Sequence, residues 1–191
     1  MAGSVILSGA RTPIGKLSGA LSGFAATDLG GIAIKEALAR GGVSPDQVDA
    51  VLMGQVLLAG AGQLTARQAA VAGGLPLSVP ATTINKVCLS GLNAIHLADL
   101  MISAGRADIV VAGGMESMTN APYLLPGARA GYRAGDQSVV DSMRAAIAPR
   151  PQQHAARKAN PLGCLIAAVL VACGLGFSAL MAVLGSMGYL N

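Results

Sequence analysis

Continuous apolar runs separate longer stretches in which apolar, small and polar residues recur at helical spacing. Val5-Ile6-Leu7, Ala50-Val51-Leu52-Met53, the segment from Ala81 into Val87, and Ile109-Val110-Val111-Ala112 read as buried strands. Unbroken runs, as opposed to alternating ones, belong to strands covered on both faces. Between them the pattern predicts helices. Thr27 or Asp28 can cap one that runs through Lys35 to Arg40, with Gly41-Gly42 as its stop. Ser44-Pro45-Asp46-Gln47 joins an N-cap serine, a first-turn proline and a glutamine three residues on, the signature of a helical start. Gly60-Ala61-Gly62 opens a loop before a helix over Leu64–Ala72, and Pro76 and Pro80 exclude a regular element between them. A last helix, Leu89–Ala104, ends at Gly105. Strand and helix alternate. That predicts an α/β fold, a mostly parallel sheet with helices on both faces and right-handed crossovers.

One junction in this pattern carries chemistry. The strand entering Val87 breaks directly into the helix at Leu89, with Cys88 between them. A helix N-terminus presents unpaired N–H groups and partial positive charge. A thiol there is expected to ionise more readily, and the thiolate is the nucleophile. The competing reading is a small apolar residue at a strand end. In a parallel sheet, ligands collect at the carboxyl ends of strands, where Cys88 and Gly113-Gly114 both fall. The two glycines mean close backbone approach, positive φ or a tight turn. Glu116 after them either orients a neighbour or caps the next segment. His96 is eight residues beyond Cys88, roughly 12 Å along the helix, too far to serve as its base within one subunit. His154 falls in a polar stretch and reads as solvated.

Three blocks of residues share one likeness. Ile84-Asn85-Lys86-Val87-Cys88-Leu89-Ser90-Gly91-Leu92-Asn93-Ala94-Ile95 resembles the active-site cysteine motif of the thiolases, the acetyl-CoA acetyltransferase family. Gly113-Gly114-Met115-Glu116-Ser117-Met118-Thr119-Asn120-Ala121-Pro122-Tyr123 is similar to a second thiolase motif, and Ser8-Gly9-Ala10-Arg11-Thr12-Pro13-Ile14-Gly15 to the family's first strand and loop. The likeness runs from about Val5 to Met143. It implies that residues 1–118 form the first thiolase half and 119–143 begin the inserted loop domain. It also implies that Cys88 takes an acyl group as a thioester from a coenzyme A thioester substrate, with no bound cofactor or metal, in a homo-oligomer. The family's second half brings a histidine in a Gly-His-Pro setting, a second cysteine in Cys-x-Gly and an asparagine in Asn-Glu-x-Phe. None of these motifs occurs here, so impaired turnover is expected.

Composition adds limits at the C-terminal end. Hydrophobic residues make up 53% of the 191, enough for a substantial core. The net charge of +4 arises wholly from Arg129, Arg133, Arg144, Arg150, Arg157 and Lys158, opposed by Asp136 and Asp141. That basic run has no interleaved aromatics, which argues against nucleic acid as a partner. Residues 144–161 read as a basic, proline-containing linker. Leu162–Leu190 follows as 29 residues without a charge, long enough as a C-terminal apolar helix to span a bilayer with residues 1–158 on the cytoplasmic side. Two readings stand for this tail: a membrane anchor, or an accidental apolar sequence from a shifted reading frame. The N-terminus carries no basic cluster and no apolar stretch of leader length, and Cys88, Cys164 and Cys173 are too few for a disulfide framework. A cytoplasmic protein is expected, with possible membrane association through Leu162–Leu190.

Overall fold

The strand β1, Ala50–Gly54, is buried along its whole length and forms the centre of the sheet. In this computed structural model, which describes residues 4–145, β2 (Ala81–Ile84) lies on one side of it and β3 (Val110–Gly114) on the other. Both run parallel to β1, with Val51 opposite Ala81 and Val111. The expected parallel α/β architecture is what the chain adopts.

Successive β1 side chains point to opposite faces, so its unbroken apolar run feeds two cores. Val51 and Met53 pack with Ile34 and Leu38 of α1 (Ala26–Gly41) and with Ala66, Ala69 and Ala70 of α2 (Thr65–Ala72). Leu52 faces the other way, onto Ala94 and Ala98 of α3 (Ser90–Ser103). The placement follows from handedness. The step from β1 to β2 and the step from β2 across to β3 run in opposite directions, so right-handed crossovers put α2 and α3 on opposite faces.

Local signals set the helix ends. Asp28 accepts the Ala25 N–H at 2.9 Å from inside the first turn of α1, so Ala25 is the N-cap and neither Thr27 nor Asp28 fills that place. Gly42 ends α1 with φ of 61°. Ser44 N–H donates to Gln47 Oε1 at 2.9 Å, and the predicted start is one 3-10 turn, Pro45–Gln47. A two-stranded antiparallel ribbon, β4 (Tyr123–Leu124) with β5 (Val140–Asp141), leads to a single helical turn α4, Ser142–Ala145.

Two strand expectations need correction. Val5-Ile6-Leu7 joins no sheet among the described residues, and its side chains are 75%, 85% and 60% exposed. The segment is tied at its ends instead, by Ser4 Oγ to Asp99 on α3 (2.6 Å) and by Ser8 Oγ to the Ala37 carbonyl on α1 (2.6 Å). Apolar residues alone do not make a strand, which needs ladder hydrogen bonds to a neighbouring strand. β2 also ends at Ile84, not Val87, and is half-exposed because it is an edge strand. Among the described residues no helix is long and apolar enough to cross a membrane. The Leu162–Leu190 run, and with it the expected apolar helix, lies outside the described residues.

Asp49 fastens the entry to β1 against the entry to β3. Its carboxylate accepts the N–H groups of Asp108 at 2.7 Å and Ile109 at 3.0 Å, while its own N–H donates to the Ile109 carbonyl at 2.9 Å. The Ile109 and Asp108 donors hold this carboxyl below its ordinary range. A depressed pKa stabilises the fold above the unfolded-state value, and the contribution disappears as pH falls through the folded one. Asp49→Asn should therefore be less stable than wild type at pH 7, and the two should converge as pH falls below about 4. Urea midpoints across that range provide the check.

Candidate active site

Between the end of β2 and the first residue of α3 the chain has only Asn85–Leu89 in which to turn. Asn85 Oδ1 accepts the Val87 N–H at 3.1 Å, a local side-chain turn of the kind asparagine favours. Ser90 Oγ accepts the Lys86 N–H at 2.8 Å and donates to the Val87 carbonyl at 2.6 Å. The N–H groups of Leu89 and Ser90 close onto the carbonyls of Lys86 and Val87. These bonds force Val87 to φ of 51°. A β-branched residue in the left-handed region costs about 1–3 kcal/mol and persists only where its surroundings over-determine it. Cys88 follows immediately, a free, exposed thiol two residues ahead of α3.

The turn is pressed against the sheet by missing side chains. A Cβ on Gly54, the last residue of β1, would stand 2.6 Å from the Gly91 nitrogen and 2.6 Å from the Ser90 carbonyl carbon. One on Gly114, the last of β3, would stand 3.4 Å from the Gly91 Cα. The first turn of α3 thus rests on the carboxyl ends of β1 and β3. Of the meanings open for Gly113-Gly114, close approach is the one found at Gly114.

Glu116 orients a neighbour. Its carboxylate accepts the Val56 N–H at 2.8 Å and the Leu57 N–H at 3.3 Å, holding the loop that leaves β1. Asn85 Nδ2 donates to the Val56 carbonyl at 3.1 Å, so the same loop is tied to the cysteine turn. A cavity of about 370 Å³ opens beside it, lined by Val56, Leu57, Leu58, Asn85, Val87 and Leu124 among others. Cys88 does not line it. A second cavity, about 330 Å³, lies between the Arg11–Leu17 loop and Glu116–Thr119.

His96 is exposed on α3, and among the described residues no hydrogen-bond partner holds the Cys88 sulfur. Nor do the described residues hold a cluster of three or more metal-ligating side chains. His154, Cys164 and Cys173 lie outside the described residues. Sequence reasoning missed the roles of Ser90 and Asn85. Asn85 two residues before Val87 carried a turn signal, but nothing in a valine announces a left-handed backbone.

The family model for the thiolase N-terminal domain matches residues 4–163. A protein named probable acetyl-CoA acetyltransferase from Mycobacterium leprae is 60% identical over 143 residues, 75% of this chain and 36% of that protein. The acetyl-CoA acetyltransferase of Cupriavidus necator is 58% identical over 139 residues, 73% of this chain and 35% of that protein. The chain spans about a third of the length of the curated relatives it matches.

The contact at Gly54 predicts unequal outcomes for two alanines. Gly54→Ala should cost about 1–3 kcal/mol, because backbone atoms of α3 must move. At Gly91 a Cβ would meet only ordinary contacts, the nearest at 3.7 Å. Gly91→Ala should be neutral or stabilising by up to about 1 kcal/mol, since alanine favours helix. Thermal unfolding followed by circular dichroism distinguishes the pair.

Proposed function

The chain belongs to the thiolase family, and on that premise we propose that it carries the acyl-accepting half of a thiolase-type acetyl-CoA acetyltransferase, with Cys88 as nucleophile. The observation behind this reading is the placement of Cys88: exposed, on a strained turn, two residues ahead of a helix that rests on the strand ends. The Cys88 thiolate attacks the thioester carbonyl of an acyl-CoA, the bond from that carbon to the coenzyme A sulfur breaks, and coenzyme A leaves as its thiolate. The product is an acyl thioester on Cys88. No resident cofactor enters this step. An exposed nucleophilic thiol fits a reducing, cytoplasmic setting.

Carbon–carbon bond formation needs more. A second acyl-CoA must lose an α-proton, and a positioned base contributes typically 10²–10⁴-fold to such a transfer. By likeness to the family, that base and the oxyanion donors come from the second half. The proposed activity of this chain is therefore acyl acceptance, with condensation slow. Incubation with acetyl-CoA should add an acetyl mass to the Cys88 peptide, and Cys88→Ser should abolish it. Equal labelling of the two proteins would reject Cys88 as the acceptor.

A second reading, association through packing alone, has its own observation. α3 is apolar on its outward side as well as its inward one, with Leu92 63% exposed and Ile95 and Leu100 about half-exposed. Clustered exposed apolar residues mark an interaction surface. Homo-oligomerisation through this layer is expected, read as a mass above the monomer by light scattering. A sharp monomer peak would count against it.

A further inference from the structure

One peptide group stands between Glu116 and the cysteine turn. The unit joining Val56 to Leu57 donates its N–H to the Glu116 carboxylate at 3.3 Å and offers its carbonyl to Asn85 Nδ2 at 3.1 Å. Asn85 then uses its Oδ1 to accept the Val87 N–H at 3.1 Å. A charged acceptor thus begins an unbroken series of hydrogen bonds that ends on the one residue held left-handed beside Cys88. Bonds in such a series polarise one another, and a charged acceptor strengthens the first. The Glu116 carboxylate also holds the Val56 N–H at 2.8 Å, so the loop cannot rotate away without losing both contacts.

We propose that Glu116 is a positioning residue for the chemistry of Cys88. Through the Val56–Leu57 peptide and Asn85 it holds the Val87 backbone in its strained state, and so fixes where the Cys88 sulfur stands ahead of α3. It touches no substrate. This assignment rests on the reading of Cys88 as the acyl-accepting nucleophile.

The test measures the rate at which iodoacetamide alkylates Cys88 in the full-length chain, read on the Cys88 peptide by mass spectrometry well below the melting temperature. Glu116→Ala should slow alkylation by about three- to tenfold, the net worth of one ordinary intramolecular hydrogen bond lost along the series. Glu116→Gln retains an acceptor oxygen and should recover most of the rate. Asn85→Ala should slow alkylation to a similar degree, and the double variant Glu116→Ala, Asn85→Ala should be no slower than Asn85→Ala alone, because both cut one series. An unchanged or faster rate in Glu116→Ala overturns the proposal, as do losses that multiply in the double variant. Earlier melting with wild-type labelling would make Glu116 a loop anchor only, and the proposal fails. Should Glu116→Ala not fold, Asn85→Asp decides: it keeps the acceptor for Val87 and loses the donor to Val56, so labelling at the wild-type rate overturns the proposal. Absence of acetyl transfer to wild-type Cys88 would reject the nucleophile reading separately, since alkylation needs only the thiol.

Discussion

A helix can start directly on the end of a strand only if no side chain stands between their backbones. At Gly54 this chain meets that condition, with the nitrogen of Gly91 and the carbonyl carbon of Ser90 where a Cβ would otherwise be. The rest of the site follows from that contact. The first turn of α3 lies against the ends of β1 and β3. In the short turn from β2 Val87 takes a left-handed backbone, and Ser90, buried and bonded at both ends of its hydroxyl, keeps it there. Cys88, on the turn between β2 and α3, is exposed.

The two faces of the sheet are built differently. α1 and α2 form an amphipathic pair, closely packed where Gly30 and Gly31 meet Ala69 and Ala72, with Lys35, Glu36 and Arg40 turned to solvent. Among the described residues the other face has α3 alone, nearly without charge, over a small core of Leu52, Ala94 and Ala98. The first face is finished as a surface, and the second has the composition of an interior layer. The cysteine turn sits at the head of this second layer.

Much of the scaffold was legible along the chain. The apolar run of β1, the glycine stop after α1 and the serine–glutamine start at Ser44 each appear close to where local chemistry puts them. Such signals depend on residues a few positions apart, so the sequence displays both partners together. Val5-Ile6-Leu7 marks the limit of this reading, since a strand depends on an edge supplied from elsewhere. The break at Cys88 was legible as well, although the strand stops at Ile84, three residues before the expected end at Val87.

What the sequence determined by itself is the alternation of strands and helices and the position of a cysteine where one gives way to the other. Only the tertiary structure decided that Val87 is left-handed, that Gly54 admits α3, and that Glu116 reaches Asn85 through a single peptide of the β1 loop. The physical reason is range. Burial period and capping are written in neighbouring residues, whereas a hydrogen bond between Glu116 and Leu57 exists only after β1 and β3 have paired in register.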